Sequence, residues 1–128
     1  MYTNASWNPL TKCAGLAWII DDAGSSSSHS ATTSFVTSPH TAETLALRNA
    51  MISALRCGIN SLLVLSDSQV LINLVNSKGR NLEIITLLND IYLLSHRFNA
   101  IQFKFIPRLA NSKADSVAKQ VLTLMYQT

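Results

Sequence analysis

The stretch SLLVLSD at residues 61–67 restricts the fold more than any other part of the chain. Its core, LLVL, is too short for a helix and carries no polar residue that would mark a solvent face. Such a run reads as a strand buried on both faces. A strand of that kind needs neighbours on either edge and helices above and below. An acid, Asp67, closes the run. The carboxyl end of a central strand is where open sheets gather ligands.

The flanking segments supply the neighbours. Residues 1–7, CAGLAWII (13–20) and SATTSFVT (30–37) are rich in β-branched and aromatic residues and predict three antiparallel strands. GSSSSHS (24–30), after DDAG, predicts a hairpin turn and not a domain boundary. Thr41 is the expected cap of a helix running to about Cys57, with Gly58 ending it. A helix is expected at about 68–77, stopped near SKGRN, and another over 81–98. AIQFKFIP (100–107) alternates as a strand closed by Pro107, and a last helix spans 112–126. The order is β-β-β-α-β-α-α-β-α. This predicts an α/β fold with a five-stranded mixed sheet, three antiparallel strands then two crossover strands, with helices packed on it.

With 128 residues and no separable linker, residues 1–128 form one domain. Hydrophobic residues make up 48% and charged residues 13%, which excludes a disordered chain. No apolar run approaches the roughly 18 residues of a membrane span, so no membrane partner is expected. Cys13 and Cys57 have neither zinc spacing nor the density of a disulfide scaffold. The expectation is an intracellular protein, with nucleus and cytoplasm not distinguished.

Three acids share a pattern. Glu43 falls on the helical face of Ala46, Leu47, Ala50, Ala54 and Cys57, opposite Arg48, Asn49 and Arg56. An acid on a packed face is costly unless its charge is compensated, although a first-turn Glu favoured by the helix dipole is the alternative. Asp67 follows the buried strand, but Ser66, Asp67 and Ser68 are all good N-caps. Asp115 ends SKAD (112–115), which has the form of a capping box with Ser112 as the cap. If these three are committed to one site, only 4 acids remain to offset 10 Lys and Arg, leaving a positive surface suited to phosphate.

TAETLALRNAM (41–51), SDSQVLINLV (66–75) and IPRLANSKADSVAK (106–119) resemble successive blocks of the ribonuclease H family. The resemblance is closest to the ribonuclease H-like domains of plant retroelement and reverse-transcriptase-related proteins, and it covers essentially the whole chain. It implies a ribonuclease H-like fold and cleavage of the RNA strand of an RNA–DNA hybrid. The implied cofactor is a pair of Mg²⁺ ions, with Mn²⁺ as substitute, held by four carboxylates. By similarity Glu43, Asp67 and Asp115 fill three of those positions. The fourth belongs to a Thr-Asp-Gly/Ala-Ser pattern that here reads Thr3-Asn4-Ala5-Ser6, so Asn4 stands at the place of the missing acid.

An Asn oxygen coordinates a hard cation only as a dipole, which implies weakened metal binding and reduced activity. The family's loop histidine is absent, and Arg108 is the electrostatic stand-in that resemblance suggests. His29, His40 and His96 are read as loop or surface residues, and Trp7 and Trp18 as core. Gln69 matches a residue that reaches the hybrid's minor groove, and Lys78 and Arg80 are candidate phosphate contacts. Only three residues precede Asn4, so either the first strand is trimmed or the chain is part of a longer protein with flanking domains. Two alternatives stand beside the nuclease: a catalytically inactive nucleic-acid-binding module, and a structural or partner-binding domain.

Overall fold

The computed structural model describes residues 1–125. Its elements are β1 (Tyr2–Asn8), β2 (Cys13–Asp22), β3 (Ser25–Thr33), α1 (Pro39–Arg56), β4 (Ser61–Ser66), α2 (Gln69–Asn76), α3 (Ile85–Ser95), β5 (Ala100–Phe105) and α4 (Ser112–Leu124). Short 3₁₀ turns at Leu82–Ile84 and Arg108–Asn111 lead into α3 and α4. The expected order is thus found, and the sheet runs β3-β2-β1-β4-β5. The pairs β3–β2 and β2–β1 are antiparallel, while β1–β4 and β4–β5 are parallel. The expected end of the last helix at 126 lies outside the described residues. Among the described residues, no helix is long and apolar enough to cross a membrane.

The first strand is seven residues long. Asn4 lies well inside it, paired with Ala17 of β2. β1 meets β4 only at Tyr2↔Leu65 and Thr3↔Ser66, so its second half projects past the end of β4.

The serine-rich run corrects the sequence expectation. Only Ala23 and Gly24, with φ of +50° and +82°, form the turn, as two-residue hairpins require. Ser25–Thr33 is strand β3, paired residue for residue with Asp22 back to Ala14. The long apolar β2 supplies a ladder that needs no β-forming side chains in its partner, and a solvent-facing edge tolerates serine. His29 therefore sits in a strand, stacked on Trp18 with ring centroids 6.0 Å apart, and not in a loop. Trp18 is buried in the core, and Trp7 packs against it, donating Nε1–H to the Val36 carbonyl at 2.9 Å.

Two details of the helices also differ. α1 begins at Pro39, and Ser38 is its cap, its hydroxyl accepting the Thr41 N–H at 3.1 Å. Pro at the first position has the right φ and no N–H to lose, so Thr41 falls inside the first turn. Cys57 lies past the last helical residue and is exposed, off the packed face. Both cysteines are free.

α1 covers one face of the sheet through Ala42, Ala46, Leu47, Ala50, Met51 and Ala54, against Leu16, Trp18, Ile20 and Val64. α4 crosses β1, β2 and β3 on the other face. It does not shield β4 fully: Leu62 and Val64 are buried, but Leu63 is 43% exposed. The expected burial of this strand on both faces is thereby corrected, because α4 sits over the antiparallel half of the sheet.

Gly15 sets how closely α4 approaches. A Cβ there would stand 2.2 Å from the Ala118 carbonyl oxygen and 3.0 Å from the Leu122 nitrogen, both backbone atoms that cannot rotate away. Gly15→Ala is therefore expected to cost at least about 1–3 kcal/mol. A lowered urea midpoint with unchanged slope would show it; an unchanged midpoint would mean that α4 is free to shift outward.

Candidate active site

The parallel pairing of β1 with β4 brings the polar residues together. Asn4 follows the last paired residue, Thr3, and Asp67 follows its partner Ser66, so both lie at the carboxyl end of β4. Asn4 is buried, with 3% of its surface exposed. Its Nδ2 donates to Asp115 Oδ1 on α4 at 3.1 Å. The next residue, Ala5, donates its backbone N–H to Glu43 Oε1 on α1 at 3.1 Å and to Asn4 Oδ1 at 2.9 Å. Two adjacent residues of β1 thus hold acids from the helices on opposite faces of the sheet.

The structural alternatives for these acids do not hold. No acid lies in the first turn of α1, so Glu43 sits deeper than a dipole-stabilised rim position. Ser68, not Asp67, caps α2, its hydroxyl accepting the Leu71 N–H at 3.4 Å. The SKAD capping box does not form either: the cap position of α4 is Asn111, with no side-chain cap bond, because the 3₁₀ turn runs straight into the helix. Asp67 is thus released from capping, and Asp115 from a box with Ser112.

Burial is the largest influence on Glu43, pushing its carboxyl from the ordinary range up to about 8. The Ala5 N–H and the Arg108 guanidinium oppose the shift, while the charges of Asp67 and Asp115 add to it. Glu43 Oε2 is buried with no hydrogen-bond partner. Asp67 is also raised, first by burial and further by Asp115, against Arg108, its own backbone and Asn111. The three acids therefore feel one another across a single site.

Arg108 Nε lies 3.9 Å from Asp67 Oδ2, and the two side chains are 88% and 9% exposed. The arginine is an exposed cation at the rim, not a buried partner. Gln69 is the first residue of α2, two positions after Asp67, and is exposed. Lys78 and Arg80 are also exposed but follow the far end of α2, away from the acids. Among the described residues, no three His, Cys, Asp or Glu side chains stand close enough to form a ready metal-ligand cluster.

Two residues were given no role from sequence. Asn111 is fully buried and donates Nδ2–H to the Thr3 carbonyl at 2.9 Å, tying the start of α4 to β1 beside the site. Lys119 Nζ lies 2.9 Å from Asp115 Oδ2. The i,i+4 spacing of an acid and a lysine on a helix was the available signal for the second.

A family model described as reverse transcriptase-like matches residues 2–121. The chain belongs to the reverse transcriptase-like family. Its fold is that of ribonuclease H, as solved structures bear out. Ribonuclease H1 from the halophilic archaeon Halobacterium salinarum superposes with a TM-score of 0.87 at 19% identity, over 95% of each chain. LC11-RNase H1 from a compost metagenome, in complex with RNA/DNA hybrid, gives 0.82 at 22% identity, over 93% of this chain and 92% of that one. The N-terminal ribonuclease H domain of a Mycobacterium tuberculosis protein gives 0.80 at 19%, over 98% and 93%. No curated protein matches the chain significantly.

The raised Glu43 carboxyl sets a pH dependence. Between the ordinary carboxylate range and about 8, the folded protein holds a proton at Glu43 that the unfolded chain has lost. Stability must therefore fall as pH rises through that window, by an amount on the order of a few kcal/mol. Glu43→Gln is expected to flatten the decline between pH 5 and 8 in denaturant titrations without divalent ions. Equal slopes for both proteins would show that Glu43 ionises normally.

Proposed function

We propose that this domain binds RNA–DNA hybrid and hydrolyses its RNA strand with divalent ions, at a rate reduced by Asn4. The observation that carries the reading is that Asn4 and Ala5 bond Asp115 and Glu43 at the end of β4, where the charges of Asp67 and Asp115 both act on Glu43.

The donor set fits Mg²⁺ or Mn²⁺. Every candidate ligand atom is a hard oxygen, and the buried, unpartnered Glu43 Oε2 is an acceptor that a cation would satisfy. Glu43, Asp67, Asp115 and the Asn4 amide oxygen are the residues that would hold it. Bound there, it supplies the Lewis acidity that in-line hydrolysis of a phosphodiester needs. Asn4 contributes no full charge, which weakens the hold.

Around the acids, the chain's own residues take up the substrate. Arg108, free at the rim, attracts a backbone phosphate but cannot shuttle a proton near neutral pH. The Gln69 amide, exposed on the first residue of α2, would make a minor-groove or 2′-hydroxyl contact, the feature by which RNA is told from DNA. Beyond the far end of α2, away from the acids, Lys78 and Arg80 would add phosphate contacts that weaken with salt.

A second reading is a binding module without activity, and one observation favours it: the Asn4 amide already occupies Asp115. Cleavage of a labelled hybrid with Mg²⁺ and with Mn²⁺ separates the two. Restoring the charge with Asn4→Asp is expected to raise the rate by up to about a thousandfold, equivalent to roughly 4 kcal/mol in the transition state. If both proteins bind hybrid but neither cuts it, the binding module stands. If neither has measurable hybrid affinity at low salt, only a structural or partner-binding role remains. Arg108→Ala is expected to weaken hybrid binding, measured by fluorescence anisotropy, and to shrink its salt dependence; an unchanged salt slope would remove the phosphate role.

A further inference from the structure

Asp115 already has a donor on each of its carboxylate oxygens. Oδ1 accepts from Asn4 Nδ2 at 3.1 Å and Oδ2 pairs with Lys119 Nζ at 2.9 Å. The other half of the site is different. Glu43 Oε2 has no partner, and Asp67 is met by its own backbone and the Asn111 side chain, with the Arg108 guanidinium 3.9 Å away at the rim. The site is divided into a half satisfied from within and a half left open.

The geometry points to Lys119 as a built-in cation that, with the Asn4 amide, holds Asp115 away from divalent ions and leaves the domain with a single ion-binding half at Glu43 and Asp67. This deepens the proposed function and rests on its premise that these acids hold a divalent ion. Asn4 alone does not account for the division: its amide brings no charge of its own, and the Asp115 carboxylate still attracts a cation. Lys119, one helical turn further along α4, neutralises that remaining charge. Its side chain is 66% exposed, so the ammonium can swing away. The effect is therefore a competition between a tethered monovalent group and a diffusing divalent ion, not a permanent block.

Titration with Mn²⁺ at low ionic strength, with free ion followed by electron paramagnetic resonance, tests this on wild type, Lys119→Met, Lys119→Arg, Asn4→Asp and the double variant Asn4→Asp/Lys119→Met. Wild type is expected to take one ion. Lys119→Met should tighten Mn²⁺ binding roughly threefold to fivefold or admit a second, weaker ion. Lys119→Arg should titrate as wild type, and the double variant should exceed Asn4→Asp alone. Added salt should shrink the differences. Because an exposed i,i+4 pair adds little to stability, metal-free melting curves should coincide for wild type and Lys119→Met, which separates ion competition from a folding defect.

If Lys119→Met titrates as wild type while Asn4→Asp gains affinity, the lysine has no such role, although the acids still hold metal. If no variant binds Mn²⁺, both the lysine's role and the metal-dependent reading fail.

Discussion

Mutual repulsion of partly buried acids is the constraint on which the site depends. Three separate elements carry Glu43, Asp67 and Asp115; the charges of Asp67 and Asp115 make Glu43 costlier to ionise, and Asp115 does the same to Asp67. The protein compensates from its own groups. It does so unevenly. Asp115 receives an amide and an ammonium, Asp67 has a rim guanidinium, its own backbone and Asn111, and Glu43, the most deeply placed, is kept protonated by burial into the neutral pH range.

β1 is the mechanical centre of this arrangement. Its antiparallel partner β2 and parallel partner β4 hold it in the middle of the sheet, and its two faces reach different helices. Asn4 reaches α4 and the Ala5 N–H reaches α1, so a shift in either helix is felt at the same point. Gly15 permits the close approach of α4, and the Asn111 amide fixes the start of that helix to Thr3. The candidate chemistry and the packing of the sheet are therefore coupled through a few backbone contacts.

Membership of the reverse transcriptase-like family and the ribonuclease H fold fix the architecture, while identities of 19–22% to the solved relatives leave function to the residues of the site. There the acids Glu43 and Asp115 are bonded by Ala5 and by the neutral Asn4. An Asp at residue 4 could not donate to Asp115 as the Asn4 amide does. Asn4 therefore brings a hydrogen-bond donor and no charge to the Asp115 side of the site.

Much of this was legible in the sequence, because it rests on local pattern. The LLVL run, the alternation of residues 100–107 and the helical periodicities place every strand of the crossover half and every helix to within a few residues. The motif blocks marked Asn4, Glu43, Asp67 and Asp115 as related positions. What local pattern could not decide was set by pairing across long separations. Ser25–Ser28 extend because β2 offers a ladder, Leu63 meets solvent because α4 lies over the other strands, and Ser68 rather than Asp67 takes the cap. Above all, the donors on Asp115 come from residue 4, at the opposite end of the chain, and from residue 119 one turn away. The sequence by itself determined which elements form and which acids they carry; only the folded arrangement decided which acid is satisfied and which is left open, since that depends on distances between segments with no proximity along the chain.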